Sequence, residues 1–513
     1  MSRNWSEQQK AIFEWFATGG GNLIVRARAG TGKTTTLVEA MSKAPEQFVL
    51  ACAFNKRIQK ELQAKVLAAG GRAEVKTLHG VGFSIVQRYW ERCQVDANRG
   101  FVLAQQAAGE QAPDEMIKKI QKLAGLGKGC VVDFHNEEET CETLEALAIR
   151  FDLEPDDTWQ KDGWTTEKLV KLTYTAMELA TRRTVNESNK VVCDFDDMLF
   201  LPLANNWAAP RYDLVCVDEA QDMNAAQLEL AKRIRNPGGR TVVIGDDRQA
   251  IYGFRGADSG ALDRLKKELN AAELGLTCTY RCGKAIVAYA KTMVPDFEAA
   301  ETNVEGMIEE LHETQLVDTA TPGDFVLSRK NAPLVSICLR LLKKGKPARI
   351  EGKDIAAGLK TIVKRWKLTS IVKLVDNIEK WRDREIEKIE LKKSAFEAEL
   401  IETVKDKAEI LLALTEGLSN PAELITRLET LFGNNEEERR PMVVCSSIHK
   451  SKGLEASRVF ILKSTLYPQR KAFAKEGYTT AHAEKKAREI VEEQNLEYVA
   501  VTRAIDRLVW VAS

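Results

Sequence analysis

The sequence predicts an α/β protein of two similar lobes, each a parallel sheet covered by helices and each carrying a mostly helical insertion. Three observations carry that reading. Short apolar runs alternate with helical patterns in the outer parts of the chain, as strands buried on both faces require. Strand signals fade in two internal stretches, where helical periodicity and dense charge take over. A glycine-rich turn, Ala27-Arg28-Ala29-Gly30-Thr31-Gly32-Lys33-Thr34, lies directly between the first apolar run and the helix that follows it.

Taken in order, Asn22-Leu23-Ile24-Val25 is the first strand, and a helix over residues 35–43 follows the glycine turn. Phe48-Val49-Leu50-Ala51-Cys52-Ala53 leads into a helix from Asn55 to about Ala68, and Val75-Lys76-Thr77-Leu78 leads to His79. Residues 1–84 and 190–275 form the first lobe, with 85–189 as its insertion. In that insertion Met116, Ile117, Ile120 and Leu123 recur at helical spacing, and Glu137-Glu138-Glu139 reads as a solvated face or loop. The sheet pattern returns at Tyr212-Asp213-Leu214-Val215-Cys216-Val217, continues through a helix over 223–235, and reaches Thr241-Val242-Val243-Ile244.

Residues 276–352 and 441–513 form the second lobe. Its strands are Phe325-Val326-Leu327-Ser328, Met442-Val443-Val444-Cys445, Val459-Phe460-Ile461-Leu462 and Leu508-Val509-Trp510-Val511, with a helix over 334–343. Residues 353–440 are its insertion. The apolar positions there, Ile378, Trp381, Ile386, Ile389, Phe396 and Leu400, are too irregular for a long coiled coil, so a short helical domain is expected.

Composition narrows the class. The 513 residues are 44% hydrophobic and 29% charged, with 75 basic and 75 acidic residues, so a polyanion-binding surface must be local rather than global. Ten scattered cysteines contain no CxxC pair, and five histidines are dispersed, which argues against a zinc or disulfide framework. No apolar run approaches membrane-spanning length, and the first residues lack an apolar targeting core. A soluble protein in a reducing compartment, without a membrane partner, is expected.

The glycine turn carries chemistry. Strand, glycine loop, Lys-Thr and helix together are the arrangement in which backbone N–H groups converge on phosphate oxygens. Ala29, Gly30, Thr31, Gly32 and Thr35 line that loop and its helix. Lys33 is the charge for the β/γ-phosphates, and Thr34 is the hydroxyl for Mg²⁺. A magnesium-holding carboxylate is then needed at a nearby strand end, and Val217-Asp218-Glu219 supplies Asp218. Glu219 beside it has the chemistry to orient and deprotonate an attacking water. Gln249, just past the strand that ends in Gly245-Asp246, can hydrogen-bond a γ-phosphate or its water. Tyr252 and Phe254, interleaved with Arg255, either stack nucleic-acid bases or pack internally.

The stretches Asp218-Glu219-Ala220-Gln221-Asp222 and Gly245-Asp246-Asp247-Arg248-Gln249-Ala250-Ile251-Tyr252-Gly253-Phe254-Arg255-Gly256-Ala257 resemble those of superfamily 1A DNA helicases, the UvrD/Rep/PcrA group. The resemblance covers most of the chain. Trp5-Ser6-Glu7-Gln8 resembles the Q motif, which implies that Gln8 reads adenine. Ala53-Phe54-Asn55-Lys56 and Thr77-Leu78-His79 resemble motifs Ia and Ib, which implies contacts of Phe54, Asn55, Thr77 and His79 with single-stranded DNA. These two stretches are also similar to the F-box DNA helicase branch. Asp194-Phe195-Asp196-Asp197-Met198-Leu199 resembles the element that precedes motif II. Leu276-Thr277-Cys278-Thr279-Tyr280-Arg281 resembles motif IV, which implies Tyr280 on adenine and Arg281 on the γ-phosphate. Residues 447–455 resemble motif V, placing His449 on DNA and Glu455 in the nucleotide site, and residues 497–504 resemble motif VI, with Arg503 as a second γ-phosphate arginine.

What the resemblance implies is two RecA-like P-loop lobes with ATP between them. It further implies an ATP-dependent 3′→5′ helicase or translocase that uses Mg²⁺ and acts on single-stranded and tailed duplex DNA. The alternative is an ATP-gated remodelling factor that displaces proteins from DNA without efficient strand separation. A nucleoid-associated place in a bacterial or phage-infected cytoplasm and replication or repair proteins as partners are expected with either. The chain departs from the group's pattern at Thr35, where many relatives have Arg, and at Phe254, where Trp is usual. It also departs at Glu492-Glu493-Gln494-Asn495, which lacks the usual two arginines, and in the brevity of residues 353–440.

Overall fold

The structure is a computed structural model that describes residues 4–512 apart from 132, 152, 156–158, 161, 252–259, 392–396, 433–440 and 467–479. Its contacts divide the chain into two units, Met1–Arg28 with Gly32–Leu276, and Ala29–Thr31 with Thr277–Ser513.

In the first unit the strands are β1 (Leu23–Ala27), β2 (Val49–Ala53), β3 (Glu74–Thr77), β4 (Gln94–Val95), β5 (Thr184–Val185), β6 (Val191–Cys193), β7 (Tyr212–Val217), β8 (Arg235–Gly245) and β9 (Ala272–Leu276). Six of them make one parallel sheet in the order β3-β2-β7-β8-β1-β9. Burial alternates with strand period. Leu23, Val25, Ala51, Cys216 and Ile244 belong to one apolar cluster, while Ile24, Leu50, Cys52, Val217 and Val243 belong to the other. Burying each such Leu, Ile or Val contributes about 1.5–3 kcal/mol, and helices on both faces complete that burial. Because β7, β8 and β1 are neighbours, residues 28–33, 218–219 and 246–249 emerge side by side at the carboxyl edge of the sheet. That edge is where ligands bind in open parallel sheets.

The helix after the glycine turn is Lys33–Lys43, two residues earlier than the periodicity suggests, because Gly32 at φ +79° lets the chain enter the helix directly. Leu78 begins the helix Leu78–Tyr89 rather than ending β3, since Thr77 caps it by accepting from Gly80 N–H at 3.0 Å. The helix expected over 223–235 is Ala225–Arg233, and Arg235 already belongs to β8.

Between β3 and β7 the helices Arg99–Ala108, Asp114–Cys130, Glu137–Arg150 and Thr166–Ala180 enclose a core that includes Leu103, Met116, Ile120, Leu144 and Met177. A small sheet, β4-β6-β5, sits beside them, so this segment is not wholly helical. Glu137, Glu138 and Glu139 occupy the first turn of a helix capped by Asn136, where their charge complements the helix dipole.

In the second unit the strands are β10 (Cys278–Thr279), β11 (Glu298–Ala299), β12 (Met307–His312), β13 (Phe325–Ser328), β14 (Ala348–Ile350), β15 (Val443–Ser447), β16 (Ala456–Leu462) and β17 (Ala504–Ala512). Six form a second parallel sheet, β12-β17-β16-β13-β15-β14. The helices Lys353–Trp366, Ile371–Leu391, Glu397–Thr415 and Pro421–Phe432 follow β14. Leu374, Ile378, Leu411 and Leu428 from these helices lie in one apolar cluster with Val326, Cys445, Phe460 and Val509 of the sheet. The short insertion therefore extends the core of its sheet instead of building one of its own. Phe396 lies outside the described residues.

Candidate nucleotide site and nucleic-acid contacts

The turn after β1 keeps its backbone in the left-handed region at Gly30 (φ +69°) and Gly32 (φ +79°). A side chain is disfavoured at both, and the N–H groups at the start of the helix Lys33–Lys43 are left for a ligand. Thr34 and Thr35 occupy the first turn of that helix and are half-buried, whereas Thr31 is buried. Lys33 Nζ stands 3.4 Å from Glu219 Oε1. Burial pulls the ammonium's pKa down, but the charges of Glu219, Asp246 and Asp218 outweigh that and raise it.

Asp218 follows β7 and is buried. Burial, reinforced by the charge of Glu219, pushes its carboxyl up to about 7 in spite of Lys33. Glu219 has φ +53°, a conformation rare for a residue with a side chain and one that clusters at functional sites. It is held there by its own N–H to Asp218 Oδ1 at 2.9 Å and by Gln221 Nε2, which donates to Oε2 at 2.6 Å. Gln221 also accepts from Asp246 N–H at 3.0 Å, and so joins the ends of β7 and β8.

Asp246 is fully buried and organises the third part of the site. It accepts from Gln249 Nε2 at 2.6 Å and from Arg28 Nη1 at 3.1 Å, and Arg28 also reaches Asp247 at 2.8 Å. Lys33, Asp218, Glu219 and Gln249 are thus brought together. Asp246 joins them at the ligand-binding strand end where the sequence places it, and so do Arg28 and Gln221, to which sequence reasoning assigns no role. The signal for Asp246 is that it directly follows an apolar strand, as Asp218 does. Gln8 is half-buried on the helix Glu7–Thr18. Its neighbour Gln9 reaches the glycine-loop helix, donating to Thr36 Oγ1 at 3.0 Å.

The donor set suits a magnesium–nucleotide complex. Asp218 and Thr34 offer hard oxygens, and a carboxylate held near neutrality by burial and a like charge is relieved by a cation. Among the described residues no group of three or more His, Cys, Asp or Glu is arranged to hold a metal ion unaided.

At the same edge of the sheet, Asn55 is exposed beyond β2 and caps the helix Lys56–Ala68, with half-buried Phe54 before it. Thr77 is buried as a cap, whereas His79 stacks on Phe195 with ring centroids 4.0 Å apart and planes at 20°. Partial burial lowers His79 to about 4, so the ring is neutral at physiological pH. Phe195 is 57% exposed, an unusual place for that side chain. Sequence reasoning assigns it no role, although its position within Asp194-Phe195-Asp196-Asp197 marks it. Tyr252, Phe254 and Arg255 lie outside the described residues.

In the second unit, Arg503 is buried at the junction of the helix Thr480–Val501 and β17, donating to Val499 O at 2.9 Å and Leu454 O at 3.1 Å. Arg281 pairs with Glu455 at 2.5 Å and donates to Thr502 O at 3.3 Å, so Arg281, Glu455 and Arg503 converge. Tyr280 beside them is exposed. His449 follows β15 and is lowered to about 3 by burial and by Arg329 and Lys452.

A glycine loop between strand and helix, its lysine against a carboxylate pair at the end of β7 in the same sheet, defines a P-loop α/β protein. Family comparison takes this further. Residues 5–270 match the UvrD/REP helicase N-terminal domain, and residues 161–513 match the UvrD-like helicase C-terminal domain. The chain belongs to the UvrD-like helicase family. Relatives include a probable DNA helicase II homolog of Mycoplasma genitalium, 26% identical over 58% of this chain and 44% of its own length. F-box DNA helicase protein 1 of Schizosaccharomyces pombe is 24% identical over 99% of this chain and 57% of its own. The ATP-dependent DNA helicase PcrA of Staphylococcus epidermidis is 25% identical over 56% and 39%. The matches span about half the length of these relatives. All ten cysteines are free thiols, and among the described residues no helix is long and apolar enough to cross a membrane.

Proposed function

We propose that the chain is an ATP-driven motor on single-stranded DNA that separates duplex strands, with 3′→5′ polarity. The observation that carries the ATP part is the contact of Lys33 with Glu219 beside buried Asp218. In this reading Lys33 and the loop N–H groups hold the nucleotide's phosphates, and Gln8 faces the adenine. Thr34 and Asp218 would hold Mg²⁺, which supplies charge neutralisation at the phosphates. Glu219 takes a proton from the attacking water. Its left-handed backbone and the Gln221 bond fix the carboxylate's aim.

Arg281 and Arg503 are assigned to the γ-phosphate, where an arginine stabilises developing charge. Tyr280 is assigned to the adenine, and Phe54, Asn55, Thr77, His79, Tyr252, Phe254, Arg255 and His449 to DNA. Grip on the phosphate backbone would be independent of sequence and would weaken with salt. ATP hydrolysis measured with and without an oligonucleotide tests the reading. DNA stimulation is expected, and its absence would overturn the motor.

A second reading is a remodelling factor that moves on DNA without useful strand separation. The four helices that follow β14 favour it, because they extend the sheet's own core and are not a separate body. Strand displacement on duplexes with 3′ or 5′ tails separates the two. Unwinding from a 3′ tail supports the helicase, whereas stimulated hydrolysis without unwinding supports the remodeller.

A further inference from the structure

Away from the nucleotide loop, four charged side chains are buried together in the first unit. Arg99 starts the helix Arg99–Ala108 and Lys128 lies near the end of Asp114–Cys130, each 3% exposed. They meet Asp194 and Asp197, the ends of a tetrapeptide. Lys128 Nζ is 2.7 Å from Asp194 Oδ2 and 2.7 Å from Asp197 Oδ1. Arg99 pairs with Asp197 and donates as well to Ala180 O at 2.9 Å and Thr184 Oγ1 at 3.0 Å. The two aspartates also bond each other's backbone, Asp194 N–H to Asp197 Oδ2 at 2.8 Å and Asp197 N–H to Asp194 Oδ1 at 2.7 Å.

Between those clamped ends stands Phe195, turned outward and stacked on His79. A Cβ on Gly100 would lie 3.3 Å from Asp194 Oδ2, so the Arg99–Ala108 helix is seated directly on the turn. Buried ion pairs are weak evidence for stability, because desolvation offsets their attraction, and one attested use is to fix a single arrangement. Here the arrangement fixed is the one that presents an aromatic face to solvent.

We propose that Arg99 and Lys128 are positioning residues, supplied by the helical insertion, that lock the Asp194–Asp197 turn so that Phe195 and His79 form a rigid face for one base of a nucleic-acid strand. This rests on the reading of His79 as a DNA contact. An aromatic face without hydrogen-bond readout accepts any base. Pre-organising it removes the ordering cost that a mobile phenyl ring would add on binding.

The test pairs a structural with a functional readout on the full chain. The first is the His79 C2–H proton resonance, assigned through His79→Gln and shifted by the Phe195 ring current. The second is affinity for an oligothymidylate containing one 2-aminopurine, with fluorescence quenching as the mark of stacking. Phe195→Ala is expected to weaken binding roughly 5- to 150-fold, the loss of one stacked base. Lys128→Met should weaken it in the same range and move the His79 resonance towards its Phe195→Ala position. The double variant should lose no more than Phe195→Ala alone, and Lys128→Arg should recover part of both readouts.

Additive losses in the double variant, or an unmoved His79 resonance in Lys128→Met, would overturn the positioning role. If Phe195→Ala binds normally, the base-binding reading of the face fails, while the resonance still tests the clamp. Should Lys128→Met not fold, Arg99→Lys keeps the charge but shortens its reach, and it is followed by the same resonance and the same affinity. A shifted resonance with weakened binding supports the clamp there, and an unmoved resonance overturns it.

Discussion

The first unit buries charge in two places, and the two are arranged differently. Around the Asp194–Asp197 turn, two cations meet two carboxylates. Despite burial, Lys128 and Arg99 hold Asp197 below the usual carboxylate range, although burial and the Asp197 charge raise Asp194 beside it. At the strand ends beside the glycine loop, Lys33, Arg28 and Arg26 face Asp218, Glu219, Asp246 and Asp247. There burial raises both Asp218 and Asp246, whereas Asp247, beside Arg28 and Arg26, is held low. Backbone geometry follows the same division, since Glu219 is left-handed and two loop glycines have positive φ. A cluster completed within the chain serves to fix geometry. A cluster left rich in negative charge and in unusual backbone is one that a ligand completes.

The contrast breaks most visibly at Lys33. Lys33→Ala should lower ATP hydrolysis at least roughly 10³-fold, the scale of a lost charge-stabilising group, in a steady-state phosphate-release assay. The thermal midpoint should move little, because Asp218 can answer the missing charge by taking up a proton. Glu219→Gln should reduce turnover by about 10²–10⁴-fold while equilibrium binding of ATP persists. Normal turnover in that variant would remove Glu219 from the base role. Lys128→Met should do the reverse on the fold, costing about 3–5 kcal/mol in urea unfolding by leaving buried carboxylates short of a partner. If Lys33→Ala and Lys128→Met proved equally destabilising, the two clusters would not differ in kind.

The division also marks where sequence is legible. Strand positions such as Leu23, Val215 and Val243 can be read because strands buried on both faces form continuous apolar runs. Lys33, Asp218 and Glu219 can be read because phosphate chemistry demands those residue types at strand ends. Arg28 and Asp246 are less visible, since their pairing depends on β1 and β8 being adjacent, and sheet order is not written in any local pattern. Arg99 and Lys128 are invisible. Each looks like an ordinary surface cation on its helix until the fold brings Asp194 and Asp197 to it. The core of residues 353–440 departs from expectation for a related reason. Leu374 and Ile378 show an apolar stripe, but a stripe does not say whether it meets another helix or the sheet.

The smallest expected effect is a slope of stability with pH, opposite in sign for Asp218 and Asp197. Asp218 sits near 7 in the folded chain, well above its value of about 3.9 when unfolded. Between those values the folded state binds the extra proton, so this residue makes stability fall as pH rises from about 4 to 7. Above 7 the carboxylate is ionised in both states and the full penalty is present. Asp197 is lowered instead, so its contribution is complete above the unfolded value and disappears only as acid reaches its folded pKa. Asp218→Asn should therefore raise the thermal midpoint at pH 8 more than at pH 5 and flatten the profile between them, in nucleotide-free buffer without divalent cations. Asp197→Asn should lower the midpoint at both pH values. A profile unchanged by Asp218→Asn would mean that Lys33 already balances the site, and the distinction between the two clusters would then rest on backbone geometry alone.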